Sequence, residues 1–124
     1  MKRALIVDDD EMICELFAEL LKQHLDFGEI EIAKNGIEAR EKCSELKYDL
    51  IILDHFMPEM DGSSFLKLLR HEFNGINSET LVIMVTGHMP EIPTDHQIID
   101  KTLYLRKPVD FDRVKKFIKM NIAV

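Results

Sequence analysis

The sequence predicts an α/β fold, a doubly wound five-stranded parallel sheet flanked by helices, in one domain over residues 1–124. Three observations predict it. Five short apolar runs are spread evenly along the chain, helical patterns fall between them, and three of the runs are continuous rather than alternating. A continuous apolar run is expected of a parallel strand covered on both faces. Strands that alternate with helices build right-handed βαβ units.

The first run, Ala4-Leu5-Ile6-Val7, leads into Asp8-Asp9-Asp10. Ile13, Leu16, Phe17, Leu20 and Leu21 then recur at the spacing of one helix face, with Asp10 as the expected N-cap. Glu31-Ile32-Ala33 reads as a second strand, and Asn35-Gly36 opens a weaker helix with Ala39, Cys43 and Leu46 inside. Leu50-Ile51-Ile52-Leu53 is a third strand, followed by a helix marked by Leu66, Leu69 and Phe73. Leu81-Val82-Ile83-Met84-Val85 is a fourth. The next crossover is irregular, because Pro90 and Pro93 lack the amide donor that a helix needs. A short helix is expected from Thr94, with Gln97 completing a capping box, to near Lys101. Leu103-Tyr104-Leu105 is the fifth strand, and Asp110 caps a last helix that turns Phe111, Val114 and Ile118 inward.

Composition narrows the function. A net charge of −7 argues against a nucleic-acid surface, where phosphates select for Lys and Arg, and suits a divalent cation or a basic partner. Cys14 and Cys43 are too few for a disulfide framework and fall in helical patterns, so they read as packing residues. The apolar run after Met1-Lys2-Arg3 is too short for a signal peptide, and no stretch approaches the roughly 20 apolar residues of a membrane span. A cytoplasmic location without membrane contact is expected.

Ligands of open α/β sheets bind beyond the carboxyl ends of the strands. There the chain carries Asp8, Asp9 and Asp10 after the first strand, Asp54 after the third, Thr86 after the fourth, and Lys107-Pro108 after the fifth. Singly, each is an ordinary turn, cap or strand end. If these four strands lie side by side, three carboxylates, a hydroxyl and an ammonium converge. Carboxylates about 4 Å apart repel by roughly 4 kcal/mol at an effective dielectric of about 20. Lys107 and a hard divalent cation would relieve that repulsion, and Mg²⁺ is usually held by few carboxylates together with a substrate phosphate. One carboxylate is then a credible nucleophile for phosphoryl transfer.

Val7-Asp8-Asp9-Asp10, the run from Asp49 through Asp54-His55-Phe56-Met57-Pro58-Glu59-Met60-Asp61-Gly62, Val85-Thr86-Gly87 and Tyr104-Leu105-Arg106-Lys107-Pro108 resemble the receiver domain of two-component response regulators. Asn35-Gly36-Ile37-Glu38-Ala39 fits as well, and the resemblance covers essentially the whole chain. It implies a CheY-like, flavodoxin-like sheet of order 2-1-3-4-5. It implies Asp54 as phosphoacceptor, and Asp9 and, through water, Asp8 as ligands of Mg²⁺, joined by Asp54 and the Phe56 backbone carbonyl. Lys107 would contact the phosphoryl oxygens, Thr86 would move toward the phosphate, and Tyr104 would change rotamer with it. Lys107-Pro108 would be cis. Phe56 and His88 would line the phosphoryl site, Phe56 as a shield against water. The implied partners are a sensor histidine kinase or phosphotransfer protein and a downstream output protein or domain. The chain would be a switch rather than an enzyme with a separate substrate. It departs from the family in Asp100-Lys101-Thr102-Leu103, where a small-residue turn is common, and in the prolines of the fourth crossover.

Other readings fit less well. A haloacid-dehalogenase-type phosphatase needs a second acid where Phe56 stands. A flavodoxin-like FMN carrier needs a phosphate loop where Asp8-Asp9-Asp10-Glu11 would repel one. A pseudo-receiver that only binds proteins is disfavoured by the intact acidic set, Thr86 and Lys107.

Overall fold

Successive side chains of a strand point to opposite faces, so a run of apolar residues supplies two cores at once. Ala4, Ile6, Leu50, Ile52, Leu81, Ile83, Val85 and Leu105 face one side of the sheet, and Leu5, Val7, Ile51, Leu53, Val82 and Met84 face the other. The computed structural model describes residues 1–57, 60–71, 75–87 and 100–122. Within them run β1 (Lys2–Val7), α1 (Glu11–His24), β2 (Phe27–Ala33), α2 (Gly36–Glu45), β3 (Leu50–Asp54), α3 (Gly62–His71), β4 (Leu81–Thr86), β5 (Thr102–Arg106) and α4 (Phe111–Asn121). The five strands are parallel in the order β2-β1-β3-β4-β5, as expected. Helices α1 and α4 cover the first core, where the Phe17 and Phe111 rings meet at 5.5 Å, while α2 and α3 cover the second.

Local chemistry sets the helix starts. Asp10 accepts from the Met12 and Ile13 amides, Asn35 from Glu38, and Asp110 from Asp112 and Arg113. Two details differ from the sequence reading. The second strand begins at Phe27 rather than Glu31, because this edge strand is buried only at Phe27 and Ala33 and carries Gly28 and Glu29 among its apolar residues. Leu16 keeps the helical period but lies 44% exposed, outside the core. Phe73, His88, Pro90, Pro93, Thr94 and Gln97 lie outside the described residues.

The amino ends of the strands are tied by polar groups. Asn77, buried, donates through Nδ2 to the Cys43 and Leu46 carbonyls and accepts through Oδ1 from the Tyr48 amide and the Thr80 hydroxyl. Every hydrogen-bonding position of that amide side chain is used, which offsets the cost of burying it. The turn into β5 puts Lys101 at φ 58°, a left-handed conformation that costs a side-chain-bearing residue roughly 1–2 kcal/mol.

A candidate functional site at the carboxyl ends of the strands

Four strand ends meet where the sequence places its polar residues. Val7 pairs with Leu53, Asp54 with Val85, and Thr86 with Arg106, so the residues that follow β1, β3, β4 and β5 emerge side by side. One carboxylate oxygen from each of Asp8, Asp9 and Asp54 lies within 4.8 Å of the others. Asp8 and Asp54 are buried and Asp9 is exposed. Lys107 enters from beyond β5, its Nζ 3.5 Å from Asp54 Oδ1, and the Lys107–Pro108 peptide bond is cis.

The electrostatics follow from this packing. Burial pushes the Asp8 carboxyl up to about 6, and the charge of Asp54 adds to the effect. The Asp10 amide, 2.9 Å from Asp8 Oδ1, and the Lys107 ammonium pull it back down. A cluster of hard carboxylate oxygens in which one is this reluctant to carry its charge fits a small divalent cation. Beside it, Asp8 and Asp9 open onto a groove of 710 Å³ lined also by Glu11, Glu15 and Glu38.

Backbone contacts fix the loop that carries Asp54 into α3. His55 N–H donates to the Val85 carbonyl at 2.9 Å, Phe56 N–H to Asp54 Oδ1 at 3.3 Å, and Gly62 N–H to the His55 carbonyl at 2.8 Å. Asp61 caps α3 by accepting from the Ser64 amide at 2.7 Å, and that bond holds its carboxyl below the usual range. Gly62 approaches β3 so closely that a Cβ there would stand 2.8 Å from His55 Cα and 3.0 Å from the Asp54 carbonyl. The Met-Asp-Gly sequence thus has a mechanical reason: a cap, then a residue without a side chain.

The remaining site residues are placed as follows. Thr86 ends β4 and is buried, and strand alternation puts it on the face that also carries Tyr104. Tyr104 packs against the α3 core, and its Oη is buried with no hydrogen-bond partner among the described residues. A buried hydroxyl left so costs about 1–3 kcal/mol. The Phe56 side chain is 86% exposed. The Cys14 thiol donates to the Asp8 carbonyl at 3.5 Å, and burial pushes it up to about 11, which agrees with a packing role. The sequence reading gave no role to His55, whose Nδ1 is 3.4 Å from Ser63 Oγ, or to Arg70, which is 2% exposed.

Comparison with known proteins agrees with this architecture. A probable C4-dicarboxylate response regulator, DctR, of Halalkalibacterium halodurans is 32% identical over 115 residues, which cover 91% of this chain and 48% of that protein. The transcriptional regulatory protein ZraR of Klebsiella oxytoca is 34% identical over 121 residues, 96% of this chain and 26% of that one. The chain therefore spans half or less of the length of these relatives. Response regulator protein TrrA of Thermotoga maritima, solved in complex with Mg(2+)-BeF, superposes with a TM-score of 0.78 at 31% identity, covering 98% of this chain and all of that one. Residues 4–119 match the profile of the response regulator receiver domain, and it is to this family that the chain belongs.

Proposed function

We propose that the chain accepts a phosphoryl group on Asp54 from the phosphohistidine of a sensor histidine kinase or phosphotransfer protein, and that this switches a face read by an output partner. One observation carries the reading: the Asp8, Asp9 and Asp54 carboxylates gather within 4.8 Å while Lys107 Nζ stands 3.5 Å from Asp54 Oδ1. Asp8, Asp9, Asp54 and the Phe56 carbonyl would hold Mg²⁺, which when bound supplies positive charge for the phosphoryl oxygens.

The chain's own groups do the rest. An Asp54 carboxylate oxygen forms the new bond to phosphorus as the phosphorus–nitrogen bond of the donor breaks, and the electron pair leaves with the imidazole. Lys107 neutralises charge on the transferring group. Attack by water later releases phosphate. Thr86 and Tyr104 share one face of neighbouring strands, so a hydroxyl drawn toward the phosphoryl group would vacate space for the ring. The two rotamer states of Tyr104 then present different surfaces to a partner. This reading makes the chain a cytoplasmic signalling switch with no direct contact to nucleic acid or membrane. Among the described residues, no helix is long and apolar enough to cross a membrane.

The test is mass spectrometry after incubation with acetyl phosphate, with and without Mg²⁺, on the wild type and Asp54→Asn. A Mg²⁺-dependent gain of one phosphoryl group that the variant lacks is expected. Absence of both the adduct and beryllofluoride binding would favour the pseudo-receiver reading instead.

A further inference from the structure

Arg70 lies in the last turn of α3 and is almost completely buried, a rare position for a permanent cation. Its Nη1 donates to the Ser78 and Thr80 carbonyls at 3.2 and 2.6 Å. Its Nη2 donates to the Asp100 and Lys101 carbonyls at 3.1 and 3.4 Å and to Thr102 Oγ1 at 2.9 Å. The fork therefore bridges the segments entering β4 and β5, and it holds the turn at which Lys101 is left-handed.

Thr102 and Tyr104 are two residues apart on β5 and so share a face. The guanidinium that bonds Thr102 is thus on the side to which the Tyr104 ring packs, where the phenol oxygen is buried without a hydrogen-bond partner among the described residues. The two groups feel each other: burial raises the Tyr104 phenol and Arg70 draws it back down. The oxygen is the negative end of the phenol dipole, and a fixed cation favours it there without a direct bond.

We propose that Arg70 is a positioning residue for Tyr104, holding its ring in the inward state and so setting the balance between the two states of the switch. The proposal rests on the reading of Tyr104 as the moving side chain. It gives the α3–β5 contact a part in signalling although Arg70 touches none of the acidic cluster.

The test uses the full chain with fluorotyrosine, Tyr48→Phe assigning the two resonances, and two readouts. One is broadening of the Tyr104 fluorine signal by a dissolved nitroxide; the other is affinity for beryllofluoride with Mg²⁺. Arg70→Met is expected to expose the Tyr104 ring and weaken beryllofluoride binding by about five-fold or more, the usual scale of a coupling between sites, because the inward ring fills the space that Thr86 leaves in the phosphoryl-bound state. Arg70→Lys, which keeps the charge, is expected to stay near wild type. Should Arg70→Met not fold, Arg70→Gln keeps amide donors for the carbonyls without the charge and gives the same comparison. In a Tyr104→Phe background the weakening is expected to vanish. A folded neutral variant with a buried Tyr104 ring, or an equal change in the Tyr104→Phe background, would overturn the proposal. Failure of wild type to bind beryllofluoride would instead sink the switch reading, and the fluorine signal would still report on Arg70.

Discussion

Lys107 reaches Asp54 from the end of a different strand, its Nζ 3.5 Å from Oδ1, and the lysine side chain is 41% exposed where the aspartate is 6%. A pair so placed holds little folding energy, about 1 kcal/mol at most, because solvent screens the ammonium. In the proposed reaction its value lies in charge aimed at the transferring group. Lys107→Met is expected to leave urea stability within about 1 kcal/mol of wild type. It should slow Asp54 phosphorylation by acetyl phosphate by roughly 10²-fold, the scale of one lost electrostatic donor. A large loss of stability with an unchanged rate would reverse this assignment.

The Asp8 carboxyl makes metal-free stability depend on pH in an uncommon direction. Its folded value of about 6 lies above the ordinary 3.8, so the folded chain binds this proton more tightly than the unfolded one. Keeping Asp8 charged above about pH 6 therefore costs stability, at most about 3 kcal/mol, and the cost is relieved as pH falls from about 6 to about 4. Without metal, Asp8→Asn should be more stable than wild type at pH 7.5, and the gap should shrink to about a third by pH 4.5. Paired urea titrations at the two pH values check this. A gap that stays constant would show that Asp8 is not the group responsible.

Gly62→Ala probes the approach of α3 to β3. The added carbon would meet His55 Cα and the Asp54 carbonyl, backbone atoms that cannot swing aside. A cost of about 1–3 kcal/mol is expected from such overpacking. Because the same loop carries Phe56, phosphorylation of Asp54 should slow as well. Denaturation that matches wild type would mean the loop yields easily.

Phe56 is the most exposed aromatic position described near the site, at 86%. Phe56→Asn should therefore leave stability unchanged within about 0.5 kcal/mol, as for surface positions generally. It should shorten the lifetime of phosphorylated Asp54 several-fold by opening a path for water. Following release of phosphate from both proteins decides it, and equal lifetimes would remove Phe56 from the list of shielding residues.

Some features were legible from the sequence because they depend on local pattern. β3 and β4 are buried at every position and read as continuous apolar runs, and Asp10 and Asp110 announce their helices by side-chain chemistry alone. The polar strand ends were legible because strand order fixes which ends are neighbours. Phe27–Ile30 was missed because an edge strand need not be apolar on both faces. Arg70 left no local signal, since its acceptors are backbone oxygens up to residue 101 and the hydroxyl of Thr102. Leu16 fits the helical period, yet the period does not say where the covered arc stops.

The Asn77 and Arg70 bonds join the segments entering β3, β4 and β5 at the edge of the sheet away from the acidic cluster. Strands clamped at one end behave like the ribs of a fan gathered at the handle. The proposed site lies at the rim, at the opposite end of the strands from these bonds.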